Sequence, residues 1–169
     1  AMSCEVAAEA APAFDTIIVP GGVGLRRADG PVIAAAAWLK TRAPTTRRVA
    51  SVCTGLYALA ATGLLDGLRV TTHWRFAADV RRRFPALKMD ADALFIREGR
   101  FYTAAGVTAG VDLALSMVEE DHGPRLALAI ARELVVYLKR PGGQLQYSEP
   151  LQFQTRATDR FADLAAWLP

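Results

Sequence analysis

The sequence predicts an α/β fold with a mostly parallel sheet, and three observations lead to this prediction. Short β-branched runs are followed by longer helical patterns, and this alternation recurs along the chain. Glycine and proline stand where the strand patterns end. The 169 residues are 52% hydrophobic and 22% charged, a length and composition that suit one domain with a substantial core.

The first strand and helix are predicted at residues 15–43. The segment "DTIIVPGG" (15–22) is a β-branched run that ends in proline and two glycines, as expected for a buried strand entering a tight loop. The segment "DGPVIAAAAWLKTRA" (29–43) offers Asp29 as the N-cap and Pro31 in the first turn. Its apolar stripe predicts that one face of the helix is buried, and that stripe comprises Val32, Ile33, Ala36 and Leu39.

Two further strand–helix units are predicted at residues 47–84. The strand "RRVASV" (47–52) precedes a small-residue helix that runs from Thr54 to Leu65 and closes near Gly67. The strand "LRVTTHW" (68–74) precedes the amphipathic segment "RFAADVRRRF" (75–84). Its apolar side chains recur on one face, which predicts a third helix packed through Phe76, Val80 and Phe84.

The remaining elements are a hairpin and two helices. The segment "ALFIREGRFYTAAG" (93–106) predicts two strands around a turn at Glu98 and Gly99. The segments "TAGVDLALSMVEEDHG" (108–123) and "PRLALAIARELVVYLKR" (124–140) predict two helices separated at Gly123. After Arg140 the chain becomes polar without a helical period, which is typical of a linker or surface arm.

Composition excludes several classes of function. The net charge of +3 is small, and the arginines of "RRRFP" (81–85) suit a solvated helix face, so nucleic-acid binding by this chain alone is not expected. Two cysteines, Cys4 and Cys53, and two histidines, His73 and His122, do not form a metal framework. We therefore predict no metal and no cofactor. Without a secretory signal or a long apolar stretch, the chain is predicted to be cytoplasmic and to have no membrane partner.

Cys53 is the strongest candidate for chemistry. It lies between the strand 47–52 and the helix that begins near Thr54, and ligands of parallel α/β sheets gather at the carboxyl ends of strands. A side chain on such a turn is held outward, and a helix N-terminus behind it favours the thiolate, which is the reactive form. The alternative interpretation is a small buried residue that fills a tight turn, and the spacing alone leaves the two interpretations about equal.

Three motifs in the same order resemble the ThiJ/PfpI superfamily: "IIVPGG", "SVCTGLYALAATGLLDGLRVTTHW" and "YTAAGVTAGVDLALSMVEED". The resemblance runs from about Phe14 to Gly143 and implies a flavodoxin-like three-layer sandwich. It implies that Cys53 is the nucleophile-elbow cysteine and that His73 lies on the next strand end as its candidate catalytic partner. The ligand pocket implied by the resemblance is formed by Gly21, Gly22, Cys53, Thr54, Gly106, Val107 and Thr108.

The resemblance also leaves two features of the superfamily without a match. Superfamily domains begin with a strand and a helix, and an acidic residue in the turn between them hydrogen-bonds the cysteine. Only fourteen residues precede "DTIIVPGG", so the first strand and helix are apparently missing from this chain. Glu5 and Glu9 do not fit the motif of the acid.

Two functions remain open. "SVCTG" and "TTHW" also occur in isonitrile hydratase-like enzymes, where the cysteine would attack an electron-poor carbon. The segment "RELVVYLKRPGGQLQYSEPL" resembles the connection to the helix-turn-helix module of AraC-type transcriptional regulators. We therefore favour a ligand-sensing and dimerisation domain at 1–143, followed by a linker arm at 144–169. By this resemblance the protein binds a small molecule, forms a homodimer and contacts DNA only through a domain absent from this chain.

Each histidine also has a structural interpretation. His73 can serve as the base near the thiol, and it can equally pack beside Trp74 and cap the helix that follows. His122 stands at a helix end, where a cation meets the negative end of the helix dipole, so we expect a structural role for it.

Overall fold

The computed structural model describes residues 12–27, 29–140 and 142–145. Cys4, Glu5 and Glu9, and the proposed linker from residue 146 onward, lie outside the described residues. The strands are β1 (Thr16–Val19), β2 (Arg48–Val52), β3 (Arg69–Val70), β4 (Lys88–Met89), β5 (Phe95–Glu98) and β6 (Phe101–Ala104). The helices are α1 (Gly30–Arg42), α2 (Gly55–Ala60), α3 (Trp74–Arg83), α4 (Val107–His122) and α5 (Pro124–Glu133).

Four strands form the main sheet in the order β1-β2-β6-β5. The β1–β2 and β2–β6 pairs are parallel, and β5 runs antiparallel to β6 through the predicted hairpin. Gly99 in the hairpin turn has φ 60°, a left-handed conformation that glycine adopts without steric cost. The predicted mostly parallel sheet is therefore confirmed.

Helices cover both faces of this sheet, as the three-layer prediction requires. On one face, Ala109, Leu113 and Met117 of α4 pack against Ala50 and Tyr102 of the sheet, and α5 packs against α4. On the other face, side chains of α1 and α2 pack against Ile17 and Val49, and these side chains are Val32, Leu39, Leu56, Ala58 and Leu59. The alternation of strand residues between the two faces divides the core into two layers.

The segment 70–73 differs from its prediction. β3 covers only Arg69–Val70 and pairs with β4 in a separate two-stranded sheet. The expectation that the strand predicted at 68–74 joins the main sheet is therefore wrong. Threonine side chains form hydrogen bonds with backbone groups that would otherwise pair with a neighbouring strand. The Thr71 backbone N–H donates to Thr103 Oγ1 at 2.9 Å, and the Thr71 hydroxyl donates to the carbonyl of Ala93 at 2.9 Å. Thr71 and Thr72 are fully buried at the carboxyl end of the sheet.

Two helices also differ in detail. α2 ends at Ala60, five residues before the predicted Leu65, and turns follow it with Gly63 at φ 74°. Leu65 is nevertheless fully buried, because the turns fold it back into the core beside Leu56. In α1, Ile33 is 62% exposed, so only part of the predicted stripe is buried. Apolar periodicity therefore located these helices but did not fix their ends or every buried position.

The end of α5 is set by one strained residue. The helix was predicted to continue to Arg140, yet it ends at Glu133, and Val135 adopts φ 55°. The N–H of Val136 donates to the carbonyl of Ala131 at 3.0 Å, and the N–H of Val135 donates to that of Arg132 at 3.1 Å. These two bonds form the Schellman motif that usually carries glycine at the left-handed position. A β-branched residue there gives no sequence signal for a helix end.

Within the ranges that the structure describes, no helix has both the length and the apolar character needed to span a bilayer.

We predict that Val135→Gly raises the free energy of unfolding by about 0.5–1 kcal/mol, because glycine removes the left-handed strain at a small cost in chain entropy. Val135 is 90% exposed in the single chain, so little packing within the chain is lost. Urea denaturation monitored by circular dichroism measures the change. Val23→Gly is the matched control, because Val23 is 89% exposed but has no positive φ. Equal or greater stabilisation by the control would contradict the assignment of strain to Val135.

Candidate functional site

Cys53 occupies a strained turn directly after β2. Its φ of 54° lies in the left-handed region, which costs a residue with a side chain about 1–2 kcal/mol. Two hydrogen bonds hold its backbone: its N–H donates to the carbonyl of Ala104 at 2.9 Å, and its carbonyl accepts from Thr72 Oγ1 at 2.7 Å. The thiol is free and partly buried. Cys53 thus lies in a left-handed turn whose strain tertiary hydrogen bonds offset.

Close backbone approaches set the position of this turn. A Cβ atom added at Gly55, the first residue of α2, would collide with the carbonyl oxygen of Val19 and lie 2.9 Å from that of Pro20. A Cβ atom added at Gly21 would lie 3.1 Å from the Cβ atom of Cys53. The end of β1 and the loop 20–22 are therefore pressed against the elbow, and only glycine fits at residue 55.

Thr54 closes the same loop onto the elbow. Its hydroxyl accepts a hydrogen bond from the Gly22 N–H at 2.8 Å and donates one to the Gly22 carbonyl at 2.9 Å. The Gly22 N–H is therefore engaged by Thr54. Thr54 is 4% exposed, and this paired contact makes it a clamp on the loop.

A cavity of about 1170 Å³ opens beside Cys53. Its lining is mostly apolar, which suits the burial of a small molecule. One part of the lining surrounds the elbow and consists of Pro20, Gly21, Gly22, Val23, Arg26, Cys53, Thr54, Arg75, Phe76, Asp79 and Val107. The other part runs between β1, α4 and α5 and consists of Ile18, Val52, Gly110, Val111, Ala114, Leu115, Val118, Ile130 and Leu134.

The structure brings five of the predicted ligand-binding residues to this cavity: Gly21, Gly22, Cys53, Thr54 and Val107. The other predicted residues, Gly106, Thr108 and His73, do not line it. Gly106 and His73 lie against each other, since a Cβ atom added at Gly106 would be 3.2 Å from Cδ2 of His73. Gly106 therefore allows the loop before α4 to pass against the imidazole ring.

His73 is engaged as a helix cap. It is the N-cap of α3, and its Nδ1 accepts a hydrogen bond from the Arg75 N–H at 3.2 Å. Burial lowers the pKa of His73 from its ordinary value, and the nearby charge of Arg75 lowers it further. The ring is therefore neutral at pH 7, and the bond to Nδ1 assigns the proton to Nε2. The expected packing against Trp74 is also present, with ring centroids 5.4 Å apart.

Charged side chains concentrate at the elbow end of the cavity, and the sequence did not single them out. The hydroxyl of Tyr57 donates to Asp79 at 2.6 Å, and this bond is the largest cause of the lowered pKa of Asp79, about 2. Arg83 forms an ion pair with Asp79 at 3.0 Å. Arg26 stacks over the ring of Phe76 at 5.0 Å. The carboxylate of Asp79 is thus ionised, and its negative charge is already compensated by its neighbours.

The apolar part of the cavity was also missed from the sequence. Ile18 belongs to a β-branched run that predicted a buried strand, yet it is 52% exposed at the cavity wall. β1 is the edge of the four-stranded sheet, and among the described residues only β2 pairs with it. The β-branched run of β1 does not show whether other parts of the chain cover the strand. The sequence therefore gave no signal that Ile18 lies at the wall of a cavity.

Comparison with known proteins connects this geometry with two kinds of relative. The chain is 37% identical over 142 residues to the HTH-type transcriptional regulator GbdR of Pseudomonas aeruginosa, covering 84% of this chain and 38% of that protein. It is 36% identical over 129 residues to an isonitrile hydratase of Pseudomonas putida, covering 75% of this chain and 54% of the enzyme. The chain therefore spans about two-fifths to one-half of the length of these relatives.

A solved structure shares the fold. It is an AraC family transcriptional regulator from Pseudomonas putida, with a TM-score of 0.67, 23% identity, and coverage of 79% of this chain and 70% of that one. The description of the matching family is DJ-1/PfpI, and the match covers residues 2–120, more than half of the sequence. The flavodoxin-like sandwich agrees with this match, and this chain is a member of the DJ-1/PfpI family.

Proposed function

We propose that this chain is the ligand-sensing and dimerisation domain of an AraC-type transcriptional regulator that acts in the cytoplasm. The observation that carries the proposal is the large apolar cavity beside the strained Cys53. The identity to GbdR supports a regulatory role. In this proposal a small molecule occupies the cavity, and a helix-turn-helix domain of the full-length protein contacts DNA.

The lining favours a ligand with an apolar body and a negatively charged group. The wall formed by β1, α4 and α5 offers aliphatic side chains to the body. At the elbow end, Arg26 and Arg75 line the cavity, whereas the carboxylate of Asp79 is held by Tyr57 and Arg83. The positive charge of the guanidinium groups therefore remains available to an anion.

In this proposal the predicted residues divide into two groups. Gly21, Gly22, Cys53, Thr54 and Val107 contact the ligand, since they line the cavity. Gly106, Thr108 and His73 do not line the cavity, and Gly106 packs against His73. The role of His73 is then to cap α3, and its engaged Nδ1 leaves it without a free basic nitrogen.

The second candidate is a thiol-dependent hydratase, which the 36% identity to isonitrile hydratase favours. The thiolate of Cys53 would add to the isonitrile carbon, the adduct would take up a proton, and water would then release an N-substituted formamide and restore the thiol. This chemistry needs a group that moves protons at the thiol. The bond from the Arg75 N–H to His73 Nδ1 counts against the second candidate.

A homodimer is the partner that we propose for this domain. Exposed apolar side chains concentrate on α5 and the residues after it: Leu126, Leu128, Leu134, Val135, Val136 and Tyr137. Exposed apolar side chains concentrated in one part of a protein favour protein association there. A pair of identical domains is also the arrangement that suits binding to repeated DNA half-sites.

We predict that Cys53 reacts with iodoacetamide at pH 7 at least about tenfold faster than Cys4, and that hydrogen peroxide oxidises Cys53 first. The reason is the outward position that its turn imposes beside an open cavity. Mass spectrometry of peptides after timed alkylation measures both rates. Cys53→Ser is expected to keep the fold by circular dichroism.

His73→Ala is the control variant for the thiol. We expect it to change the alkylation rate of Cys53 less than threefold, because His73 caps α3. If the rate instead falls tenfold or more, and if the wild-type chain converts an alkyl isonitrile to a formamide that Cys53→Ser does not produce, the hydratase replaces the sensor as the function of this site.

We predict a dimer in sedimentation velocity at about 20 μM, which Tyr137→Asp shifts toward the monomer. The introduced carboxylate would be desolvated in an apolar contact. Ile33→Asp is the matched control, because Ile33 is 62% exposed on α1, away from the α5 surface. A wild-type chain that remains monomeric, or a control that dissociates the dimer equally, would overturn this assignment of the interface.

A further inference from the structure

The chain beyond α5 returns to the carboxyl end of the sheet and is anchored there by Gln144. This side chain is 6% exposed. Its Oε1 accepts a hydrogen bond from the Trp74 N–H at 2.8 Å, and its Nε2 donates to the carbonyls of Thr72 and Ala93, each at 3.0 Å. Both ends of the amide are therefore used, which fixes the side chain in one orientation.

The residues that Gln144 binds enclose the cysteine site. Thr72 accepts from Gln144 through its carbonyl and donates through its hydroxyl to the carbonyl of Cys53 at 2.7 Å. Trp74, whose N–H is bound by Gln144, is the first residue of α3. His73 lies between these two residues. Gln144 thus supports the backbone on which both Cys53 and His73 depend.

The segment that carries Gln144 packs closely against Asp92. The Gln144 N–H donates to the carbonyl of Asp92 at 2.6 Å, and the Leu145 N–H donates to Asp92 Oδ1 at 2.8 Å. A Cβ atom added at Gly143 would collide with the carboxylate of Asp92. The segment is therefore seated specifically on the loop before β5.

A second attachment joins the same segment to α4. The guanidinium of Arg140 binds both carboxylate oxygens of Asp112 through Nε at 3.0 Å and lies 3.4 Å from Thr108 Oγ1. The Asp112 side chain is 7% exposed in α4. Thr108 follows Val107, which lines the cavity. Arg140 therefore attaches this segment to α4, and Gln144 attaches it to the backbone that is hydrogen-bonded to Cys53.

We propose that Arg140 together with residues 142–145, here called the clasp, couples the state of the Cys53 cavity to the chain that follows. Gln144 is the positioning residue of this device. A group bound at Cys53 shifts the carbonyl that Thr72 holds, and Thr72 passes the shift to Gln144. The inference rests on the proposed sensing function, because it supplies the route by which occupancy of the cavity reaches the downstream chain.

Alkylation of Cys53 by iodoacetamide is the probe, and hydrogen exchange of the Trp74 amide, followed by NMR in the 169-residue chain, is the readout. We expect alkylation to speed this exchange at least about fivefold, the lower range of measured couplings between sites. Cys53→Ser treated in the same way is expected to show no change. In Gln144→Ala the amide exchanges rapidly before alkylation, and alkylation adds nothing.

Lys139→Ala is the matched control next to the clasp. Lys139 is exposed and pairs with Glu119 at 3.0 Å, so this variant is expected to keep the response to alkylation. If Gln144→Ala does not fold, Gln144→Glu retains the acceptor for Trp74 while losing the donor to Thr72, and it is expected to lose the response. A purely structural Gln144 would leave the wild-type exchange rate unchanged on alkylation, and that result would overturn the inference.

The two proposals fail in different ways. If Cys53 reacts as predicted but alkylation leaves the Trp74 amide unchanged, the coupling is absent and the sensing function stands. If the chain turns over an isonitrile through Cys53, the sensing function is wrong, whether or not the Trp74 amide responds to alkylation.

Discussion

The packing of α2 against the end of β1 is the constraint on which the site depends. Because a side chain at Gly55 would overlap the carbonyl of Val19, the helix can begin so close to β1 only with glycine at this position. The chain must then turn sharply between β2 and α2, and Cys53 takes the left-handed conformation. Hydrogen bonds from Thr72 and to Ala104 hold the strained residue, each contributing about 1 kcal/mol. The strain and its compensation are therefore parts of one arrangement.

Local sequence signals predicted the fold well where a single residue decides the local structure. Pro31 and Asp29 located the start of α1, although the Asp29 side chain makes no capping bond. The turn at Glu98 and Gly99 located the β5–β6 hairpin. These signals are reliable because they depend on the conformation of one or two residues. They failed at Val135, where local backbone hydrogen bonds hold a left-handed helix end on a residue that disfavours it.

The site was predictable to the extent that backbone geometry creates it. Cys53, Gly21, Gly22 and Thr54 follow strand ends, which meet at one edge of a parallel sheet. Gln144 and Arg140 were not predicted, because the polar segment after α5 resembled a linker. Their contacts join residues about 30 to 70 positions apart, and no local pattern encodes such pairs. The glycine at residue 143 was the available signal, since a close backbone approach requires it.

The hydrogen bonding of His73 limits what this residue contributes near the thiol. A base must offer a lone pair near the thiol, but Nδ1 accepts from the Arg75 N–H and Nε2 carries the proton. Burial keeps the ring neutral by lowering its pKa, so it also supplies no positive charge to hold a thiolate at pH 7. The same ring sits between Thr72 and Trp74, the two residues that Gln144 binds. A histidine used in this way stabilises the junction between the cysteine turn and α3.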